Sequence, residues 1–450
     1  MFTTILIGVA VTLFAGLVAK GIGNRLGSAR TGDFHISWSE FIVGAIALSF
    51  VIVPATTAAG YAMSRNSAMT YNEWWGGVEK TADVKKVTCR YDGWGCRTYD
   101  CDSYVVAVTK TRTTYDSKGN SRTETYTDYE TRWHSCPYAK HEYHYTITDT
   151  LGDRHDIGGR RVDEDRKAAR YRKNKAIPDS MKSGIPTFWA EAKARIDAKN
   201  PGGVTKRVKY KNYIQAAQDD IYAKFSDRIK EFKKHMPTPA KDSISPYLAE
   251  KFYPVSIPGI DKSFKDGTFN TNILRLSGRL GQKLQGDLHV VAVNTKNVTD
   301  GNADAYTQAL QAYWQSPALG KNTLSKNGVV AVLGVDTTTN TVAWSRGFTG
   351  MPEGNEHLTQ TLRSLAGQPF TPALFEHAQA GQPATVADLV MGGYKRVEME
   401  KYEYLAAEIQ PSGGAKATIL ILGLIMSGGL WFGLLAFNHR DYFGSSSYRY

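Results

Sequence analysis

Three apolar runs divide the chain. The first extends from Ile5 to Ala19, the second from about Phe41 to Met63, and the third from Ala417 to Phe437. Roughly 20 apolar residues cross a bilayer as a helix. The pattern therefore predicts three transmembrane helices, over residues 1–20, 38–63 and 417–437. Residues 64–416 between them are polar and hold no comparable run, which predicts one large water-exposed region. Lys20 at the end of the first span, with Arg25 and Arg30 of the loop over residues 21–37, outnumber Asp33, and Arg440 and Arg449 outnumber Asp441 in the tail over residues 438–450. Basic short segments favour the cytoplasm, so the expected topology has the N-terminus and the large region outside and the tail inside. A cleaved signal peptide over residues 1–20 is the competing reading. A signal peptide carries its basic residues before the apolar run, whereas Lys20 follows it.

Within the exterior region the periodicity changes twice. Residues 64–158 predict β structure, with YVVAVTKTRTTYDSKGNSRTETYTDYETRW folding as a long hairpin about Asp116–Asn120 and HEYHYTITDT as a further strand. Residues 159–236 turn helical: Pro186 stands near the start of TFWAEAKARIDAK, and Ile214, Ala217, Ile221, Phe225, Ile229 and Phe232 form one apolar stripe. Prolines 237, 239, 246, 254 and 258 crowd residues 237–262, a stiff connector. Residues 263–392 then alternate helix and strand. NTNILRLSGRLGQKLQ reads as a helix, DLHVVAVN as a strand, and ADAYTQALQAYWQSP as a helix. GVVAVLGVD and TVAWSRGF read as an antiparallel pair, and EHLTQTLRSLAG and PALFEHAQAG as closing helices. Such alternation predicts a mixed, helix-covered sheet, with residues 393–416 as a linker to the last apolar run.

The order of these pieces resembles the TPM domain family over roughly residues 255–392, on DLHVVAVN, the helix ending in Tyr313-Trp314, NGVVAVLGVD and SRGFTGMPEGNEHL. The resemblance implies an α/β sandwich tethered to a membrane. The expected fold class is thus an α+β membrane protein with three transmembrane helices, a disulfide-stapled β module and a TPM-like α/β sandwich with a mixed sheet. The family's loop has the form G-Y-G-x-E-G, whereas this chain has Gly347-Phe348-Thr349-Gly350-Met351-Pro352-Glu353-Gly354, with the second glycine displaced. Some family members are phosphatases or hold divalent cations in an acidic cleft. By that resemblance Asp336, Glu353 and Glu356 are the candidate ligands for Ca²⁺ or Mg²⁺. The residues alone require no cofactor: Asp336 reads as a turn cap and the two glutamates as helix N-terminal charges.

The four cysteines, Cys89, Cys96, Cys101 and Cys136, all fall in the exterior β module. An even number outside the cytosol points to disulfides, and three pairings are open. Zinc is the alternative, with His134, His141 and His144 nearby, but C-x6-C and C-x4-C are not zinc-knuckle spacings. The net charge of +12 suits an anionic surface. The basic maximum near RRVDEDRKAARYRKNK reads first as a solvated helical face. Nucleic acid is disfavoured because no recognition motif accompanies the charge. Neither a G-x-S-x-G elbow, an H-E-x-x-H pair nor a Walker loop occurs. Asp153, His155 and Asp156 read as a polar turn before a metal cluster, and Gly278-Arg279-Leu280-Gly281 as ordinary helix or turn. The expectation is a non-catalytic assembly or protein-interaction module of a cell envelope or virion membrane. Its partners are lipid, other membrane proteins or further copies of itself, and a metal-dependent phosphatase is the alternative. A transporter is disfavoured, since the only acid within the spans, Glu40, lies at an edge.

Overall fold

The computed structural model describes residues 2–28, 38–47, 51, 53–90, 95–115, 121–157, 178, 181, 184–239, 251–259, 268–351 and 353–438. The hairpin turn over residues 116–120, the basic run over residues 160–175, the middle of the proline-rich connector, most of the first loop and the tail beyond residue 438 lie outside the described residues. The chain divides into two compact units. One comprises Met1–Thr70, Thr109–Tyr126 and Tyr402–Tyr450, the other Tyr71–Val108 and Thr127–Lys401.

The helices of the first unit are α1 (Phe2–Ser28), α2 (Trp38–Ile46), α3 (Val53–Met69) and the C-terminal helix Gly413–Asn438. The expectation of three transmembrane helices is corrected here. Among the described residues one stretch, Gly413–Trp431, is long and apolar enough to cross a membrane, and the apolar part of α1, Ile5–Gly21, is shorter. Within the second run α2 is described over 9 residues and α3 from Val53, residues 48–50 and 52 lying outside the described residues, and the second half of α3 carries Ser64, Arg65, Asn66 and Ser67. Those polar side chains lower its hydropathy, and the Arg65 guanidinium donates to the carbonyl of Ala406. Small residues let the helices approach: a Cβ at Gly16 would stand 2.7 Å from the Trp431 ring, and one at Gly44 2.9 Å. Thr12 and Ser427 join hydroxyls at 2.9 Å on the inner side, while Phe14, Leu17, Val43, Ile421 and Ile425 face outward.

The strands form four sheets and belong to the second unit, except that Thr70 and the outer part of the long hairpin, Thr109–Tyr126, fall in the first. β1 (Thr70–Trp75) is followed by β2 (Glu79–Thr88), β3 (Thr98–Tyr115), β4 (Ser121–Pro137), β5 (His141–Asp149) and β6 (Arg154–Asp156). β2, β5 and β6 form one antiparallel sheet, and β3 and β4 a separate ribbon. Helix α4 (Thr187–Asp197) lays Trp189 on Tyr145 and Ile147, and its indole N–H donates to the carbonyls of Asp83 and Thr146. β7 (Lys206–Lys211) pairs with β1, so the β module recruits a strand from beyond its expected boundary. Helix α5 (Gln215–Phe232) follows the predicted apolar stripe.

The α/β portion comprises β8 (Phe252–Val255), α6 (Thr268–Leu284), β9 (Asp287–Asn294), α7 (Ala303–Trp314), β10 (Gly328–Asp336), β11 (Thr341–Thr349), α8 (Glu356–Thr361) and α9 (Val386–Gly393). The strand order is β11-β10-β9-β8, with β8, β9 and β10 parallel and β11 antiparallel. Alternate residues of β9 and β10 feed two cores. Leu288, Val290, Ala331 and Leu333 meet α6, α8 and α9, whereas Val291, Val293, Val330 and Val332 meet α5 and α7. Burial on both faces explains why these strands read as unbroken apolar runs.

Two sequence expectations change. The proline-rich connector contains a strand, β8, because an edge strand tolerates the missing N–H of Pro254. The expected PALFEHAQAG helix reduces to one turn, Pro372–Phe375, and the helix forms later at α9. Thr385 and Asp388 make a capping box there, and Asp388 also holds His377 and the backbone N–H of Ala378, drawing residues 377–378 out of helical geometry.

Gly278 and Gly281 of α6 are not ordinary helix sequence. A Cβ at Gly278 would stand 2.5 Å from the carbonyl oxygen of Gly77, and one at Gly281 2.3 Å from that of Gly76. Backbone lies on backbone at this crossing, which joins the α/β sheet to the β module.

Candidate functional site

The hairpin β3–β4 is a long two-stranded ribbon. Each strand, of 18 and 17 residues, is long enough to run roughly 55 Å at ~3.3 Å per residue. Its Thr, Tyr, Lys and Arg side chains give neither face a core, and an isolated two-stranded ribbon is marginally stable in water. Cys101–Cys136 ties the two strands at the base, with Cα atoms 5.7 Å apart, and Cys89–Cys96 closes the neighbouring loop. Of the three open pairings, this is the one formed. Around the Cys101–Cys136 bond, Tyr99 packs on Tyr138 and the backbone N–H of Arg97 donates to buried Glu142 at 2.8 Å. Farther out, large side chains face solvent: Val105 is 65% exposed, Tyr129 70% and Trp133 58%. Tyr104, also exposed, stacks on His134 with ring centroids 4.3 Å apart.

The zinc alternative is answered by the same sulfurs. Cys89, Cys96 and Glu142 come within metal-binding reach of one another, yet the two sulfurs are bonded together and offer no thiolate. His134 is stacked on Tyr104, His141 contacts Thr88, and His144 faces Glu142. In the turn after β5, His155 meets Asp149 at 2.9 Å and Asp153 accepts from the Lys206 ammonium. Burial pushes the Asp149 carboxyl up, but the hydrogen bonds from His155 and the backbone outweigh it and hold it below the usual range.

Asp336 and Glu353 are not brought together. Val329 pairs with Thr349 and Asp336 with Thr341, so the loop holding Glu353 leaves β11 at the start of β10, whereas Asp336 ends it. The length of β10 separates them, roughly 25 Å at ~3.3 Å per residue. Asp336 accepts the Thr338 backbone N–H at 2.8 Å, which holds its carboxyl below the usual range. Glu356 is exposed in the first turn of α8.

A buried polar group escaped sequence reasoning. Asp287, 1% exposed, accepts from the Lys251 ammonium, from His289 Nε2 at 3.0 Å and from the Ser277 hydroxyl at 3.3 Å. Ser277 in turn accepts the Leu288 N–H, and the Tyr253 hydroxyl lies 3.3 Å from His289 Nδ1. Burial pushes Asp287 up, but the charges of Lys251 and His289 prevail and hold it at about 2. Burial and the Lys251 charge lower His289. Ser, His and Asp are the residues of a nucleophilic triad, yet here the serine bonds to the aspartate and not to the histidine, contrary to the triad's order. The group instead fixes β8 and α6 to the start of β9. The only hint in the sequence was a charged residue heading an otherwise apolar strand.

No family model, no curated protein and no solved structure matches the chain. The functional reading therefore rests on the geometry above.

Proposed function

We propose that this protein is a membrane-tethered, non-catalytic interaction module whose binding element is the disulfide-clamped hairpin β3–β4. The observation that carries the reading is a ribbon without a core of its own, covalently closed at its base and displaying Val105, Tyr129 and Trp133 to solvent. Aromatic residues on a rigid support are the usual anchors of protein interfaces. Two disulfides suit an oxidising, extracytoplasmic compartment. The Gly413–Trp431 helix suits a membrane anchor, and the outward apolar side chains of α1 suit the same setting. The partner is a protein of that envelope or virion membrane, a further copy of this chain included. The likeness to TPM domains belongs to the same proposal and rests on the order of strands and helices alone. A phosphatase working through Asp336 and Glu353 is disfavoured by their separation along β10.

The test is replacement of the displayed side chains. Tyr129→Ser with Trp133→Ser is expected to leave thermal stability within about 0.5 kcal/mol, as for exposed positions generally. The same pair is expected to abolish crosslinking of the protein to its neighbours in the native membrane. Crosslinking that survives both substitutions would move the binding element elsewhere.

A further inference from the structure

The α/β portion holds a cavity of about 280 Å³ between α6 and the turn that follows Pro372–Phe375, unconnected with the hairpin. Its floor is apolar, from Leu276 and Phe375, and its polar wall is Arg275, Arg279, Glu376 and His377. Arg275 and Arg279 are four residues apart on α6, so both cations project from one helical face, an arrangement that is unfavourable by itself. Glu376 stands against them, 3.6 Å from Arg275. Arg275 is largely committed to the protein: it donates to the carbonyl of Pro201 at 2.9 Å and to the side chain of Asn200. It supplies positive charge, and Arg279 supplies an exposed guanidinium fork.

His377 is held in place. Its Nδ1 lies 2.8 Å from Asp388 Oδ1. The Asp388 carboxylate also accepts the backbone N–H groups of Ala378 at 3.1 Å and Thr385 at 3.0 Å. With Nδ1 engaged by an anion, Nε2 is the ring nitrogen left for a ligand. Arg275, Arg279, Glu376 and Asp388 sum to zero, so a proton on His377 makes the site cationic. A cavity just below the ~300 Å³ at which drug-sized pockets begin admits a small ligand. A planar guanidinium fork matches a phosphate oxygen pair better than it matches a neutral group.

We propose that this cavity binds a phosphomonoester group, with Arg279 and His377 as its direct ligands, Arg275 as the charge behind them and Glu376 as a tethered competitor. The chemistry is shared by a soluble phosphomonoester and by the headgroup of phosphatidic acid. The test uses the full chain in nanodiscs of zwitterionic lipid, titrated calorimetrically with phenyl phosphate, whose ring suits the Leu276 and Phe375 floor. Saturable binding at one site is expected. Arg279→Gln should weaken it at least tenfold and His377→Gln several-fold, whereas Glu376→Gln should strengthen it several-fold. That last sign is one that damage to the fold would not produce. Competition by phosphatidic acid in the nanodisc would identify the lipid headgroup as the ligand, and its absence a soluble phosphomonoester. Binding that does not saturate, or that is the same in wild type, Arg279→Gln and His377→Gln, would overturn the proposal.

Discussion

Asp287 fixes the junction of β8, α6 and β9 through one carboxylate, and its environment makes acid its weakness. Its folded pKa of about 2 lies below the ordinary 3.8, so its contribution is complete above about pH 4 and lost as the pH falls toward 2. His289 acts in the same direction. Its pKa is lowered from 6.5, so an unfolded chain takes up the proton first and stability declines as the pH drops below 6.5. Stability followed by circular dichroism in urea should therefore fall steadily from pH 7 to pH 3. Lys251→Met leaves a buried carboxylate without its cation and should cost about 3–5 kcal/mol at neutral pH. Equal stability of this variant and the wild type would remove Lys251 from the account. By contrast, Asp336→Ala should change neither stability nor divalent-cation binding measurably, because Asp336 is only half-buried and its carboxylate bonds its own turn. Little of this was legible in the sequence. Lys251 lies 36 residues before Asp287 in the chain, and no periodicity couples a lysine in a proline-rich stretch to an aspartate heading a strand. Asp336 and Glu353 were grouped by the resemblance alone, and the register of β10 with β11 places them at opposite ends of β10.

At the scale of elements, local pattern served well wherever burial is regular. β9 and β10 are largely apolar on both faces, α5 keeps a single stripe, and β3 and β4 are rich in β-branched residues; all were readable. Elements governed by distant partners were not: β7 forms by pairing with β1, and β8 by pairing with β9. The crossing of α6 over Gly76 and Gly77 was hidden for the same reason, since a glycine's purpose depends on the backbone that approaches it. Gly281→Ala would set a methyl 2.3 Å from the carbonyl of Gly76. Overpacking of this kind costs about 1–3 kcal/mol, measurable as a lowered urea midpoint with an unchanged slope. The hairpin's clamp makes a separate prediction. Replacing Cys101 and Cys136 with serine should cost about 2–4 kcal/mol locally. Hydrogen exchange should then rise across Thr98–Pro137 while β9 and β10 stay protected. Uniform loss of protection would mean that the hairpin supports the α/β sheet.

Over the whole molecule, the hydropathy profile overstated the number of spans. Among the described residues α2 has 9 residues and α3, Val53–Met69, ends in the polar stretch Ser64–Ser67, so neither is long and apolar enough to span; residues 48–50 and 52 between them lie outside the described residues. The C-terminal helix retains both length and composition. The proposed tether predicts that deletion of residues 413–438 transfers the protein from the membrane pellet to the alkaline-wash supernatant. A deletion that remains in the pellet would assign the attachment to the N-terminal helices. The central claim, that the clamped hairpin is the binding element, is tested most directly by a photo-crosslinking side chain at Trp133 in the native membrane, with and without the Cys101–Cys136 bond. The account predicts one discrete protein adduct from Trp133, lost when both cysteines are serine, and none from a control at exposed Ile185. No discrete adduct at Trp133, or an adduct indifferent to the disulfide, would contradict it.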